Sequence, residues 1–325
     1  MYPFIVADIG GTNARFALVT AKTDSGFQLE HISIYKGADY PDFDDVITAY
    51  FQELGDIQPF AACIAIAGPI NGDVIRMTNL PWSFSQQAIK ERFDLQAVLA
   101  INDFTAMAMA SSIVRGPELQ SVLNGRRDEV GNKAICGPGT GLGVAGLLSN
   151  NDKWLPISSE GGHTTLGPAT IEEAELLQVL LRQHAYVSAE ACLSGPGLQN
   201  LYKAFAVIEG RDTEHLTAQD ISQRGLSGTD ELCRKALDQF CAFMGTVASN
   251  LALAYGAKGG VYLCGGIIPR FVDYLRQSDF KERFLNKGPM SHYVADIPVD
   301  VMVHKQPAFL GAAAWLEQSF REYRV

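Results

Sequence analysis

Short apolar runs, each stopped by a glycine or an acid, alternate along this chain with stretches whose apolar residues return every three or four positions. The stretch IVADIGGTNARFALV, residues 5–19, predicts strand, tight turn and strand, because β-branched and aromatic residues flank the glycines. YPDFDDVITAYFQEL predicts a helix: Phe43, Val46, Ile47, Tyr50, Phe51 and Leu54 share one face, and a proline and acids suit its start. FAACIAIAGPI is a buried strand stopped by Gly68-Pro69, SFSQQAIKERF a short helix, and AVLAIND a second buried strand leading into the helical FTAMAMASSI. KAICGPGTGLGVAGLL, residues 133–148, is again strand, glycine loop and strand. It echoes the opening, a weak internal repeat with one glycine-threonine hairpin per half. TIEEAELLQVLLRQ predicts a helix with Thr170 and Glu173 placed as a capping box. DELCRKALDQFCAFMGTVASNLALAYG reads as one long helix ending at Gly256, GGVYLCGGIIPRF as a buried strand stopped by a glycine pair, and PAFLGAAAWLEQSFREY as a C-terminal helix. The order predicts an α/β chain of two related lobes.

Length supports two lobes, since the 325 residues exceed the roughly 250–300 at which single cores stop growing. The formal charge of −10, with no lysine/arginine block, argues against a nucleic-acid or anionic-membrane partner. It leaves small anions open, because backbone dipoles bind phosphate inside acidic proteins. The six cysteines, at 63, 136, 192, 233, 241 and 264, form no CxxC or CxC and sit mostly in apolar runs. They read as buried free thiols in a reducing cytoplasm, not as a zinc cluster. No signal-peptide pattern opens the chain, and no apolar run reaches membrane-spanning length without glycine, proline or charge.

The glycine hairpins carry the first candidate chemistry. A bound phosphate needs backbone N–H groups at close range, which glycine permits. DIGGT, residues 8–12, supplies bare backbone and a hydroxyl, and Asp8 adds a carboxylate where a Mg²⁺ on that phosphate would sit through water. GPGTGLG, residues 137–143, supplies a second cradle. Neither is a G-x-x-x-x-G-K-[ST] loop, and neither opens a helix as a dinucleotide fingerprint does. The plain alternative is a pair of tight turns; the two hairpins, the acid and the late CGGIIPR together favour a nucleotide. Asp103 lies between the buried run AVLAI and a helix, at the mouth of a strand, where a carboxylate takes the proton of an alcohol being phosphorylated. From the local sequence alone it is equally a helix N-cap. Asn102 beside it both donates and accepts hydrogen bonds. Glu160 and His163 in SSEGGHTTLGP suit a rim of sugar hydroxyls, although alone they read as a solvent loop. Glu190 in VSAEACLSGPG sits in an apolar helical context and needs a partner; a structural hydrogen bond is its alternative reading.

Taken together these motifs resemble the two-lobed sugar-kinase, actin and heat-shock ATPase fold, in which each lobe has a glycine hairpin and ATP lies in the cleft. DIGGTNARFAL, INDFTAMAMA, GPGTGLGVA, SEGGH, SAEACLSGPGLQNLY and CGGIIPRF follow one another as in bacterial glucokinases, over nearly the whole chain. The resemblance implies transfer of phosphate from Mg-ATP to the 6-hydroxyl of glucose, the entry step of glycolysis, with Asp103 as base. It implies sugar contacts at Asn102, Asp103, Glu160, His163 and Glu190. Nucleotide contacts fall at Ala7, Asp8, Gly10, Gly11, Thr12, Asn13, Gly137, Gly139, Thr140 and Gly141, an adenosine turn at Gly265 and Gly266, and the metal at Asp8. It further implies a cytoplasmic homodimer, a small lobe of residues 1–112 plus 304–325 to which the C-terminal helix returns, and a large lobe of 113–303. In the related ROK group a histidine near the place of His163 joins a cysteine cluster on zinc. This chain lacks that cluster, so no zinc is expected. The rival readings are a kinase for another hexose or an N-acetylated amino sugar, and a non-catalytic sugar sensor.

Overall fold

The structure is a computed structural model and describes residues 1–23, 26–77, 80–151 and 153–322. The chain divides into two compact units: Met1–Glu118 with Asp152–Ser158 and His304–Val325, and Leu119–Asn151 with Ser159–Val303.

The first unit is built on a five-stranded sheet. Its strands are β1 (Phe4–Ile9), β2 (Asn13–Thr23), β3 (Gly26–Lys36), β4 (Ala62–Ile66) and, after the small ribbon β5 (Val74–Arg76) and β6 (Ser83–Ser85), β7 (Val98–Asn102). The order is β3-β2-β1-β4-β7. β1 is antiparallel to β2 and parallel to β4, which is parallel to β7. Strands buried on both faces read as unbroken apolar runs, and β4 (ACIAI) is buried throughout. The outer strand β3 leaves Ile32 and Ile34 exposed. Its register against β2 shifts twice, between Phe16 and Leu18 and between Val19 and Ala21.

Helices α1 (Phe43–Leu54), α2 (Gln86–Arg92) and α3 (Asp103–Ala110) belong to this unit. On α1 the expected face is buried except for Phe51, which stacks on Phe93 with ring centroids 4.0 Å apart. The last helix also belongs here. It packs on α3 so closely that a Cβ on Gly311 would lie 1.7 Å from the Ala106 carbonyl oxygen.

In the second unit the strands run β10, β9, β12, β13, β8, where β8 is Leu119–Leu123, β9 Lys133–Pro138, β10 Leu142–Asn150, β12 Val261–Leu263 and β13 Val299–Met302; β11 is Lys153–Ser159. β9 is antiparallel to β10 and parallel to β12, which is parallel to β13. The repeat seen in the two hairpins thus extends to the next two strands of each sheet. The helices are α4 (Ile171–Leu181), α5 (Gly195–Glu209), α6 (Ala218–Ser227), α7 (Glu231–Tyr255), α8 (Val272–Gln277), α9 (Phe280–Leu285) and α10 (Ser291–Ala295), and α11 (Pro307–Glu322) is the C-terminal helix of the first unit. α7 is one helix ending at Gly256, which takes the left-handed conformation at φ 58°.

Half of the expected capping box on α4 forms. Thr170 Oγ1 accepts from the Glu173 amide at 3.1 Å, but the Glu173 carboxylate does not return to Thr170. It accepts instead from the Ala169 amide at 2.7 Å, from Gln239 of α7 at 2.7 Å and from Arg283 of α9 at 2.9 Å. A fully buried carboxylate needs a cation more than it needs a cap. All six cysteines are buried and free.

Gly311→Ala is expected to lower stability by about 3 kcal/mol, because neither backbone can yield without moving the helix that begins at Asp103. Urea denaturation checks this; a change below about 0.5 kcal/mol would show that the helices slide apart freely.

Candidate active site

In the first unit the parallel strands end together. Ile9, Ile66 and Asn102 stand in one row across β1, β4 and β7. Asp8 lies just before that row and Asp103 just after it, two strands apart, or roughly 10 Å at strand spacing. The N-cap of α3 is Asn102, not Asp103. Asn102 Oδ1 accepts from the amides of Phe104 at 2.9 Å and Thr105 at 3.2 Å, and its Nδ2 donates to the Gly68 carbonyl at 3.2 Å. The Asn102 side chain is therefore engaged in holding this turn and also supports the Asp103 carboxylate. Asp103 does not cap the helix; its carboxylate accepts from the Phe104 amide at 2.9 Å, and its own amide and the Asn102 side chain also support it.

Burial raises the Asp103 carboxyl to about 6; the Phe104 amide opposes this, and the charge of Asp8 adds to it. Burial also raises Asp8, and Arg15, its partner across the hairpin at 3.4 Å, pulls it back. Arg15 thus pairs with Asp8, and burial pushes the carboxyl beside the helix up to about 6, as suits a base.

The hairpin between β1 and β2 turns through Gly10, Gly11 and Thr12. The Gly10 amide closes the turn on the Asn13 carbonyl at 3.0 Å, and Thr12 lends its carbonyl to the Gly37 amide at 2.8 Å. Gly11 and Thr12 are exposed, and among the described residues their amides make no hydrogen bond. A Cβ on Gly10 would meet nothing nearer than the Asn13 carbonyl at 3.8 Å. Protein packing does not demand that glycine; it keeps the space open. Ala7 is fully buried within β1.

The second hairpin divides its glycines differently. Gly137 and Gly265 pack on one another: a Cβ on Gly137 would lie 2.7 Å from Cys264 Sγ, and one on Gly265, at φ +80°, 2.5 Å from the Pro138 carbonyl. Gly141 makes room for Glu190, whose Oε2 lies 2.5 Å from where its Cβ would be. Gly139 and Gly266 face open space. The Gly139 amide donates to the Gly141 carbonyl at 2.7 Å, while the amides of Thr140 and Gly141 make no hydrogen bond among the described residues.

Glu190 lies in a turn ahead of α5, not in a helix, because Ser194 starts the helix by accepting from the Gly197 amide at 2.9 Å. Its partners are the Leu142 amide at 2.8 Å and His163, whose Nδ1 stands 3.9 Å from Oε1. The EGGH loop is a single 3-10 turn against β10. A Cβ on Gly162 would lie 2.0 Å from the Leu142 carbonyl, and one on Gly161 2.8 Å from Val144. These glycines therefore bring the loop down onto the strand. Glu160 and His163 remain exposed, and among the described residues the Glu160 carboxylate has no partner.

A cavity of about 380 Å³ opens beside this hairpin, lined by Gln219, Ser222, Gln223 and Leu226 of α6 with Ile267 and Phe271 following the glycine pair. Ile267 donates to the Pro138 carbonyl at 3.3 Å, which seats the cavity at the hairpin neck. α6 begins with a capping box, Thr217 and Asp220. That signal reveals the helix from sequence but not the pocket it lines.

Two glycine-threonine hairpins, each continued by two parallel strands, frame the actin-like ATPase fold that sugar kinases share. A ROK family protein from Streptococcus pneumoniae shares this fold with a TM-score of 0.70 at 18% identity, covering 98% of this chain and 99% of that one. Residues 5–319 match the glucokinase family model. The glucokinase of Saccharophagus degradans is 53% identical over 318 residues, 98% of this chain and 99% of that protein. A crystal structure of glucokinase from an Antarctic psychrotroph superposes with a TM-score of 0.92 at 41% identity, covering 98% of this chain and 99% of that one. The chain belongs to the glucokinase family.

Carbon-13 NMR titration of the Asp103 carboxyl is expected to give a midpoint near 6, and Asp8→Asn to lower it by removing a neighbouring charge. A midpoint near 4 in the unaltered protein would show that water reaches the group.

Proposed function

We propose that this member of the glucokinase family transfers the γ-phosphoryl group of ATP to the 6-hydroxyl of glucose, with Asp103 as the base. The observation that carries this reading is the Asp103 carboxylate itself: spared from capping by Asn102, placed at the carboxyl ends of parallel strands, and pushed up towards about 6 by burial. As the P–O bond forms, Asp103 accepts the hydroxyl proton and the charge on the alcohol oxygen never develops fully. Asn102 contacts a sugar hydroxyl beside Asp103, by correspondence with the family motif. Glu160, His163 and Glu190 accept from and donate to hydroxyls nearer the anomeric end, by correspondence with the family motif.

The free amides of Gly11, Thr12, Thr140 and Gly141 bind the phosphates, and the open space at Gly10 and Gly139 lets those phosphates approach the backbone. Gly137 and Gly265 serve by packing, and Gly266 leaves space beside the α6 cavity, which takes the nucleoside. Its 380 Å³ suits a purine riboside, and two glutamine amides line it. Asp8 fits Mg²⁺ in the manner this ion prefers, one carboxylate and several waters beside phosphate oxygens. Bound there, Mg²⁺ neutralises charge on the β- and γ-phosphates. No zinc is proposed, because the six cysteines form no CxxC or CxC pair. The two compact units are read as the two lobes, and the protein as a cytoplasmic homodimer, as the family resemblance implies.

ADP release with Mg-ATP and, in turn, glucose, fructose, mannose, N-acetylglucosamine and N-acetylmannosamine is expected to be strong with glucose alone. Strong release with another sugar would replace the substrate; binding without release would make this a sensor. Asp103→Asn is expected to keep glucose binding and lose turnover by about 10²–10⁴-fold. In the unaltered enzyme kcat/KM is expected to fall tenfold per pH unit below about 6, because only ionised Asp103 accepts a proton. A flat profile down to pH 5 would assign the base elsewhere. EDTA is expected to abolish turnover, and a zinc-selective chelator to leave it unchanged.

A further inference from the structure

Leu142 opens β10 opposite Pro138 of β9, at the end of a regular antiparallel ladder. Proline has no N–H to give. The Pro138 carbonyl accepts from Ile267, and the Leu142 amide turns to Glu190 Oε2 at 2.8 Å. Gly141 leaves room for that carboxylate, since a Cβ there would sit 2.5 Å from it. On its other side Glu190 belongs to the hydroxyl-reading loop. Its own amide donates to the Gly162 carbonyl at 2.9 Å, and Oε1 stands 3.9 Å from His163. Ser194 donates to the Glu190 carbonyl at 2.8 Å, and the next residue, Gly195, donates its amide to the Gly139 carbonyl at 2.8 Å. One short segment, residues 190–195, therefore fastens the glycine hairpin to the EGGH loop.

We propose that Glu190 is a positioning residue that couples nucleotide binding to sugar binding. One carboxylate oxygen holds the neck of the phosphate hairpin while the other faces the sugar. The inference rests on the reading above that this segment contacts sugar. A hydroxyl that fixes the carboxylate from one side also fixes the acceptor of the Leu142 amide on the other, so the second ligand meets a hairpin already ordered. The coupling is reciprocal: glucose tightens nucleotide binding, and nucleotide tightens glucose binding, by the same factor, about fivefold or more.

Titration calorimetry on the full chain tests this with glucose and a non-hydrolysable ATP analogue, each alone and each in the presence of the other. Glu190→Gln keeps an oxygen to accept from Leu142; Glu190→Ala removes it. Glu190→Ala is expected to weaken analogue binding in the absence of sugar by about fivefold and to erase the mutual enhancement. Glu190→Gln is expected to weaken glucose while leaving analogue binding within about twofold. Gly141→Ala, which drives the carboxylate from its place, is expected to weaken glucose in the absence of any nucleotide, an effect that a purely phosphate-binding loop would not produce. Circular dichroism and melting curves verify that each variant folds. Wild-type analogue affinity in Glu190→Ala, or wild-type glucose affinity in Gly141→Ala, overturns the coupling. If Glu190→Gln loses glucose while Glu190→Ala binds analogue normally, the sugar reading stands and the coupling falls. If neither Glu190 variant affects glucose, the sugar reading fails as well.

Discussion

The first turn of α3 carries backbone amides that have no partner within the helix, and Asn102 satisfies those of Phe104 and Thr105. The ionisation of Asp103 depends on this. Had Asp103 served as the cap, its carboxylate would have been held by amides in its charged form, and its pKa pressed down. With the neutral neighbour in that place, burial dominates and the carboxyl titrates near 6. Packing maintains the arrangement from behind. The backbone approach of Gly311 to Ala106 fixes the helix that Asp103 begins, so a contact in the middle of α3 holds the position of a charge at its start.

The glycines of the two hairpins show how one residue type does several jobs. Gly137 and Gly265 answer to packing, Gly141 to a carboxylate, and Gly161 and Gly162 to the surface of β10. By contrast, a Cβ on Gly139 or Gly266 would meet nothing within 4 Å, and one on Gly10 only the Asn13 carbonyl at 3.8 Å. That residual space, with the free amides beside it, is what a phosphate-binding loop requires.

Much of the fold was legible in the sequence where one pattern dominated. The apolar runs of β1, β4 and β9 and the 25-residue periodicity of α7 admit few other readings. β3 was missed because its alternation is broken at the two register shifts, and α8 to α10 because helices of five or six residues are too short to show a period. In the site, the residue types around Asp103 and the hairpins were visible, but their division of labour was not. Asn102 and Asp103 are adjacent and both cap helices well, so only the backbone geometry decides between them. Glu190 looked helical because Ser194, the true helix start, lies just beyond it. The α6 cavity joins segments some forty residues apart, a pairing that no local pattern encodes.

The two register shifts along β3 also bear on how copies of the chain meet in a crowded solution. A long outer strand carrying exposed Ile32 and Ile34 would, if flat, offer a ready template for pairing with another molecule's strand. The shift between Phe16 and Leu18 puts the extra residue on β3 and bends it, and His31, at φ 48°, interrupts the extended run there, directly before the first isoleucine. The unpaired N–H and C=O groups consequently do not line up in one plane. The irregularity that hid this strand from its own sequence also guards the sheet against edge-to-edge aggregation.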